Sequence, residues 1–151
     1  MDTSLNGRVA LITGGSKGLG LAMAKAYYLA GAKVAILARD THALSQAEVE
    51  IQALSVPDDA KANCAIASFV CDVTDPQAII ATHKAIVEKL GTVDILVNNA
   101  GQSAAKPFTK ITDDEWQADL DLKLMAVVRL TRLVWPNMAE QKWGRVINLL
   151  N

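Results

Sequence analysis

Val9-Ala10-Leu11-Ile12-Thr13-Gly14-Gly15-Ser16-Lys17-Gly18-Leu19-Gly20 is the stretch whose reading decides the fold. Its first five residues are uncharged and mostly apolar, the length and pattern of a buried strand. A glycine-rich turn follows over 14–20. Beyond it Leu21, Ala22, Ala26 and Leu29 carry a helical period that ends near Gly31. Glycines let a backbone turn tightly and approach a diphosphate closely, and the free N–H groups of a helix N-terminus favour its charge. A glycine cluster alone reads equally well as an ordinary turn. The strand before it and the helix after it weigh for the phosphate loop.

The same alternation continues outward. Residues 34–38 form a second apolar run, and the next helix carries Leu44, Ala47, Ile51 and Leu54 on one face, stopping before Pro57. Residues 65–71 read as a third strand. Asp75 then caps a helix with Pro76 in its first position, where the missing proline N–H costs nothing. That helix presents Ile79, Ile80, His83, Ile86, Val87 and Leu90 as one stripe. Residues 93–97 and 146–150 are the fourth and fifth strands. Between them a long helix starts at a capping box of Thr112 and Glu115, with Ile111 and Trp116 at the staple positions. Pro136 is expected to kink or end it.

Near-continuous apolar strands, each followed by a crossover helix, indicate a parallel sheet covered on both faces. Right-handed crossovers then give a Rossmann-like, doubly wound α/β fold. No repeat, low-complexity tract or linker interrupts it, so residues 1–151 are expected to form a single dinucleotide-binding domain.

Composition narrows the function classes. Hydrophobic residues make up 51% of the 151 residues and charged residues 21%, a globular balance. A net charge of -1 leaves no broad basic field for nucleic acid or anionic lipid. No apolar stretch approaches the length of a membrane span, and the first residues lack a signal peptide, so a cytoplasmic protein is expected. Cys64 and Cys71 bracket the third strand, which would hold them roughly 23 Å apart in an extended chain. A disulfide is excluded, and both read as small buried hydrophobes. The two histidines, His42 and His83, are far apart and no cluster has metal-ligand spacing, so no metal is expected.

Three markers stand at three successive strand ends. The first loop reads T-G-x-x-x-G-x-G rather than the commoner G-x-G-x-x-G, Asp72-Val73 follows the third strand, and Asn98-Asn99-Ala100-Gly101 ends the fourth. In these the chain resembles the short-chain dehydrogenase/reductase family, over nearly its whole length but only over the first part of a complete member. The resemblance implies that Gly14, Ser16, Lys17, Gly18, Leu19 and Gly20 line the phosphates and adenosine of a dinucleotide. It implies that Asp72 accepts from the adenine amino group with Val73 beside the ring, and that Asn99, Ala100 and Gly101 pass under the nicotinamide ribose. Asn98 reads as purely structural.

The residues also choose between cofactors. NAD(H) sites of this type carry an acid at the end of the second strand, whereas Ala38 stands there and can accept nothing. Arg39 follows at once and Lys17 faces the same region, two cations suited to a 2′-phosphate. NADP(H) is therefore expected in preference to NAD(H). Asp40 is read as the cap of the helix beginning at Thr41. The plainer reading of Arg39 and Lys17 is solvated surface charge.

The resemblance further implies a Tyr-x-x-x-Lys pair as acid/base machinery, an Asn on the long helix and a Ser after the fifth strand. This chain contains no Tyr-x-x-x-Lys, and its two tyrosines, Tyr27 and Tyr28, belong to the packing of the first helix. Lys123 falls where the Asn is expected and Asn151 where the Ser is expected. Lys123 is expected to pair with Asp119 one turn earlier, with a lean toward the cofactor as the other reading. His83 reads as a packed histidine, His42 as a surface residue, and Trp116, Trp135 and Trp143 as core or interface.

The expectation is an NADP(H)-dependent oxidoreductase passing hydride between nicotinamide and a small-molecule carbonyl or alcohol substrate, with residues 104–109 near the substrate entrance. Its catalytic Tyr/Lys segment is absent from these residues, so this chain alone is expected to be inactive. A non-catalytic NADP(H)-binding module or sensor is the alternative. An epimerase-like relative is less favoured, because its loop glycines are spaced differently. The fifth strand is expected to be an exposed apolar edge and the long helix to lack a packing partner. A homo-oligomer, or association with a chain carrying the remaining fold, is expected to follow.

Overall fold

Strands β1 (Val9–Thr13), β2 (Lys33–Ala38), β3 (Ala65–Val70), β4 (Ile95–Asn98) and β5 (Arg145–Asn148) pair in parallel in the order β3-β2-β1-β4-β5. The computed structural model describes residues 4–103 and 105–149. Leu11 pairs with Ala35 of β2 on one side and Leu96 of β4 on the other. The chain therefore winds outward from β1 to β3, then returns across β1 to β4. Where the winding reverses, the ends of β1 and β4 open a crevice, the place where α/β sheets of this kind bind ligands.

The alternation within β1 explains its unbroken apolar run. Val9 and Leu11 pack with Ile79, Ile86 and Leu90 of α4 (Pro76–Leu90) and with Leu130, Val134 and Met138 of α6 (Ala126–Glu140). Ala10 and Ile12 face the other way, into a cluster with Ala24 of α1 (Gly18–Leu29) and Leu44, Ala47 and Ile51 of α2 (Thr41–Gln52). Both faces of the sheet are covered. Each fully buried leucine or isoleucine contributes roughly 1.5–3 kcal/mol of transfer free energy, so this sheet holds the crevice on a rigid base.

The helix starts follow the caps read from sequence. Asp40 accepts from the Ala43 amide at 3.0 Å, and Asp75 accepts from Gln77 and Ala78 at 2.8 and 3.2 Å with Pro76 opening α4. Thr112 and Glu115 form the reciprocal capping box of α5 (Asp113–Leu120).

Several expectations are corrected. Leu54 lies past the end of α2, and a short helix α3 (Asp58–Lys61) fills the connection to β3. On α4 it is Thr82 that is buried, while Ile80 is 50% exposed, because the inward face runs through Ile79, Thr82, Ile86 and Leu90. Val93 and Asp94 are buried but precede β4. The Asp94 carboxylate accepts from the Val9 amide at 2.9 Å and the Gln141 amide at 2.8 Å, tying together the starts of β1 and β4. A 3-10 turn (Phe108–Lys110) precedes α5. A π-helical segment (Asp121–Met125) joins α5 to α6, and α6 runs through Pro136 to Glu140 rather than ending there.

Cys71 is buried but Cys64 only partly so, and both are free. Trp116 and Trp135 are exposed rather than core, while the guanidinium groups of Arg8 and Arg145 stand over the Trp143 ring at 3.8 and 4.8 Å. β5 is a sheet edge with Ile147 exposed, and the expected strand residue 150 lies outside the described residues. Among the described residues no helix is long and apolar enough to cross a membrane, and no group of His, Cys, Asp and Glu could hold a metal ion.

Candidate functional site

Thr13 closes β1 with its side chain buried, and its hydroxyl oxygen accepts from the backbone amides of Asn99 at 3.0 Å and Ala100 at 2.9 Å. The Asn99 side-chain amide returns the contact, donating to the carbonyl oxygens of Thr13 at 3.0 Å and Gly14 at 3.2 Å. The loop after β1 and the loop after β4 are thus fastened to each other. Asn99 has a holding role that its spacing alone did not disclose.

Glycine is required at the closest approach. A Cβ on Gly20 would lie 2.2 Å from the Gly14 carbonyl oxygen and 2.5 Å from the Asn99 amide nitrogen. Gly18 has φ of +56°, in the left-handed region that disfavours side chains. The Gly15 amide donates to the Leu37 carbonyl at 3.2 Å, which seats the loop on β2. Lys17, at the N-cap of α1, is extended and makes no side-chain cap. No side chain caps the first-turn amides of α1, and these can receive an anion.

At the end of β2, Arg39 is exposed and Asp40 is engaged as the α2 cap. The Ala43 amide chiefly lowers the Asp40 pKa, with smaller contributions from His42 and Lys17. At the end of β3, one Asp72 carboxylate oxygen accepts from the Thr74 amide at 2.9 Å and its hydroxyl at 2.8 Å. These bonds hold the Asp72 carboxyl below the usual range, and Arg39 adds to them. Lys17 thus acts on Asp40, and Arg39 on Asp72, along one rim of the crevice. Val73 is 6% exposed and its side chain packs in the core. Arg129 of α6 donates to the Thr74 carbonyl at 3.3 Å and lies 3.8 Å from Asp121, linking this rim to the π-helical segment.

Asn98 turns away from the loop, its amide donating to the Asn148 side chain at 2.8 Å across β4 and β5. Ala100 and Gly101 continue from Asn99 into an exposed loop. That loop and α5 with the π segment flank an open cleft of about 760 Å³, with Gln102, Ser103, Asp119 and Lys123 on its polar wall and Ile111, Trp116 and Leu122 on its apolar one. Lys123 pairs with Asp119 at 2.9 Å, as its spacing predicts. Residue 104, the first of the expected entrance, and Asn151 lie outside the described residues. His83 is half-buried on α4 and its pKa is lowered by that burial. Tyr27 and Tyr28 pack against the α1–α2 side of the core.

Sequence reasoning missed Gln102, Ser103 and Arg129. The two polar loop residues follow Gly101 directly, which was an available signal. Nothing local in the sequence marks the π segment or the reach from Arg129 to Thr74.

Comparison with known proteins places this geometry. The family model described as short chain dehydrogenase matches residues 8–150. An acetoacetyl-CoA reductase from Shinella zoogloeoides is 34% identical over 94% of this chain and 54% of that protein. L-Sorbose reductase from Gluconobacter frateurii, solved with NADPH and L-sorbose, superposes with a TM-score of 0.87 at 32% identity, covering 98% of this chain and 54% of that one. A metagenomic short-chain oxidoreductase in complex with NADP gives 0.83 at 34% identity over 98% and 63%. The chain spans about half the length of the curated relatives it matches.

Proposed function

The chain belongs to the short-chain dehydrogenase/reductase family, and from that premise we propose that it forms the NADP(H)-binding part of an oxidoreductase acting on a small carbonyl or alcohol. The single observation that carries the reading is the rim of the crevice. Arg39 and Lys17 stand beside a loop closed by Gly20, and the end of β2 offers Ala38 where a carboxylate would select NAD(H). The structural neighbours solved with NADPH and NADP agree with it.

The residues fit the dinucleotide. Gly20 leaves room only for a backbone against Gly14 and Asn99, so the loop lies flat enough for a diphosphate to approach. The amides of Gly18, Leu19 and Gly20 open α1 and donate to phosphate oxygens, with Gly14 and Ser16 lining the approach. Arg39 and Lys17 hold the 2′-phosphate by charge-assisted hydrogen bonds, each contributing roughly 1.5–3 kcal/mol. Asp72 accepts from the adenine amino group, and Val73 offers its backbone beside the ring. The Asn99-Ala100-Gly101 backbone passes under the nicotinamide ribose, held by the Thr13 hydroxyl. When bound, the cofactor supplies or accepts the hydride exchanged with the substrate carbon. The substrate lies in the cavity beside Lys123, next to the loop that leaves Gly101. The family's tyrosine and lysine would come from outside these residues, so the chain alone binds without turning over. The working protein is a homo-oligomer or associates with a chain carrying the rest of the fold.

Titration of the wild-type chain and Arg39→Ala with NADPH and NADH tests the reading. NADPH affinity falls roughly 10- to 150-fold while NADH affinity changes little. Equal losses for both reject it.

A non-catalytic NADP(H)-binding module is the second reading, favoured by the lysine, paired with Asp119, that stands at position 123. A search of the adjoining coding sequence for Tyr-x-x-x-Lys separates the two: its presence supports the enzyme, its absence the module.

A further inference from the structure

Asp121 and Arg129 lie eight residues apart on one helical stretch, yet their side chains come within 3.8 Å. An unbroken α-helix turns about 100° per residue, so eight residues overshoot two full turns by roughly 80° and point the pair apart. The π-helical segment Asp121–Met125 removes that excess. Its i→i+5 bonds put more residues into each turn, which carries Asp121 and Arg129 onto one face. Helix side chains lean toward the N-terminus, and the long Arg129 stem spans the distance back to Asp121.

The other terminal nitrogen of Arg129 is engaged elsewhere. Nη1 donates to the Thr74 carbonyl at 3.3 Å, one residue before the Asp75 cap of α4 and outside that helix's own ladder. Thr74 is the residue whose amide and hydroxyl both bind Asp72. A guanidinium is a rigid planar fork, able to hold two acceptors in a fixed relation. Here one tine meets the turn over 72–75 and the other meets the first residue of the π segment. The Arg129 and Asp121 side chains are 23% and 32% exposed, so the fork works partly withdrawn from water. Two residues beyond Asp121 stands Lys123, bonded to Asp119.

We infer that Arg129 is a positioning residue that locks the turn carrying Asp72 to the π segment carrying Lys123, so that each is ordered when the other is. By linkage, a ligand that orders the Asp72 turn also orders residues 121–125, and the effect runs equally in reverse. The inference rests on the proposed cofactor reading for what occupies the Asp72 rim, but not for the bracket itself. An arginine that merely capped a stray carbonyl would give no such link, because each contact would then loosen separately.

The test is amide hydrogen exchange by NMR in wild type, Asp121→Ala and Arg129→Met, with and without adenosine 2′,5′-bisphosphate. This probe is the phosphorylated adenosine end of NADP(H) without its nicotinamide. Without ligand, Asp121→Ala should speed exchange at the Thr74 amide several-fold, although Asp121 bonds to Arg129 and not to that turn. With ligand, exchange over 121–125 should slow at least about fivefold in wild type and in neither variant. Unchanged exchange at Leu11 and Leu96 in the central strands shows that the variants are folded. Thr74 exchange that is indifferent to Asp121→Ala would overturn the inference, and so would protection of 121–125 that persists in Arg129→Met. Should the nucleotide fail to bind while Asp121→Ala still loosens Thr74, the cofactor reading falls and the bracket stands.

Discussion

The Thr13 hydroxyl oxygen accepts the Ala100 amide at 2.9 Å, joining the end of β1 to the end of β4 across the switch point of the sheet. The same oxygen takes the Asn99 amide, so a single buried hydroxyl serves two backbone donors. Thr13→Val keeps the shape but leaves both amides without that partner. An unpaired buried donor costs about 1–3 kcal/mol, and the partial burial of this loop puts the loss near the low end. Urea unfolding should show a lower midpoint for Thr13→Val and near-wild-type behaviour for Thr13→Ser. Coincident curves for Thr13→Val and wild type would remove this bond from the account of the crevice.

Two glycine substitutions separate collision from backbone strain. At Gly20 the new methyl would meet the backbone carbonyl oxygen of Gly14 and the side-chain amide nitrogen of Asn99, which is held by its bonds to the Thr13 and Gly14 carbonyls. At Gly18 nothing lies within 4 Å, but φ is +56°. Gly18→Ala should therefore cost only the left-handed penalty of roughly 1–2 kcal/mol. Gly20→Ala should cost more and abolish NADPH binding, because the loop must shift. Thermal unfolding with and without NADPH checks both. Equal effects at the two positions would show that the loop yields more readily than its contacts imply.

The fold was legible wherever local chemistry decided it. The run from Val9 to Thr13, the caps at Asp40, Asp75 and Thr112, and the glycine loop each act within a few residues, so their pattern survives in the sequence. The pairing of Lys123 with Asp119 is likewise a one-turn relation. What escaped reading depends on distant parts. Thr82 rather than Ile80 is buried because α4 meets the sheet at an angle that the stripe alone does not set. Pro136 is tolerated inside α6, where the helix bond it lacks can be lost without ending the element. The Asn99 and Arg129 contacts span 86 and 55 residues of sequence, and no spacing rule reaches that far.

Asp72 makes a pH prediction with a definite sign. Hydrogen bonds from the Thr74 amide and hydroxyl, with Arg39 adding to them, lower its pKa in the folded chain. A carboxyl depressed on folding contributes stability that is present above its unfolded pKa, about 3.9, and is lost as pH falls through the folded value. Asp72→Asn should be less stable than wild type near neutrality, with the difference shrinking as the solution is acidified past that window. Thr74→Val should raise the Asp72 pKa, read from its carboxyl carbon shift by NMR. An unchanged titration in Thr74→Val would mean that those two bonds do not govern it.

The open side of α6 predicts how the isolated chain behaves. Trp135 is 61% exposed, Leu124 and Val128 share the exposed side of the same helical stretch, and Trp135, Val128 and Val146 line a groove between α6 and the β5 edge. An apolar surface next to an unpaired strand edge favours association with another chain. Sedimentation velocity of the wild-type chain should show mass rising with concentration above 16.1 kDa. Trp135→Arg combined with Val128→Lys should shift the distribution back toward a single chain without loss of NADPH binding, since neither residue approaches the crevice. A wild-type chain that stays monomeric at every concentration and unfolds cooperatively would show that this face is stable in water on its own.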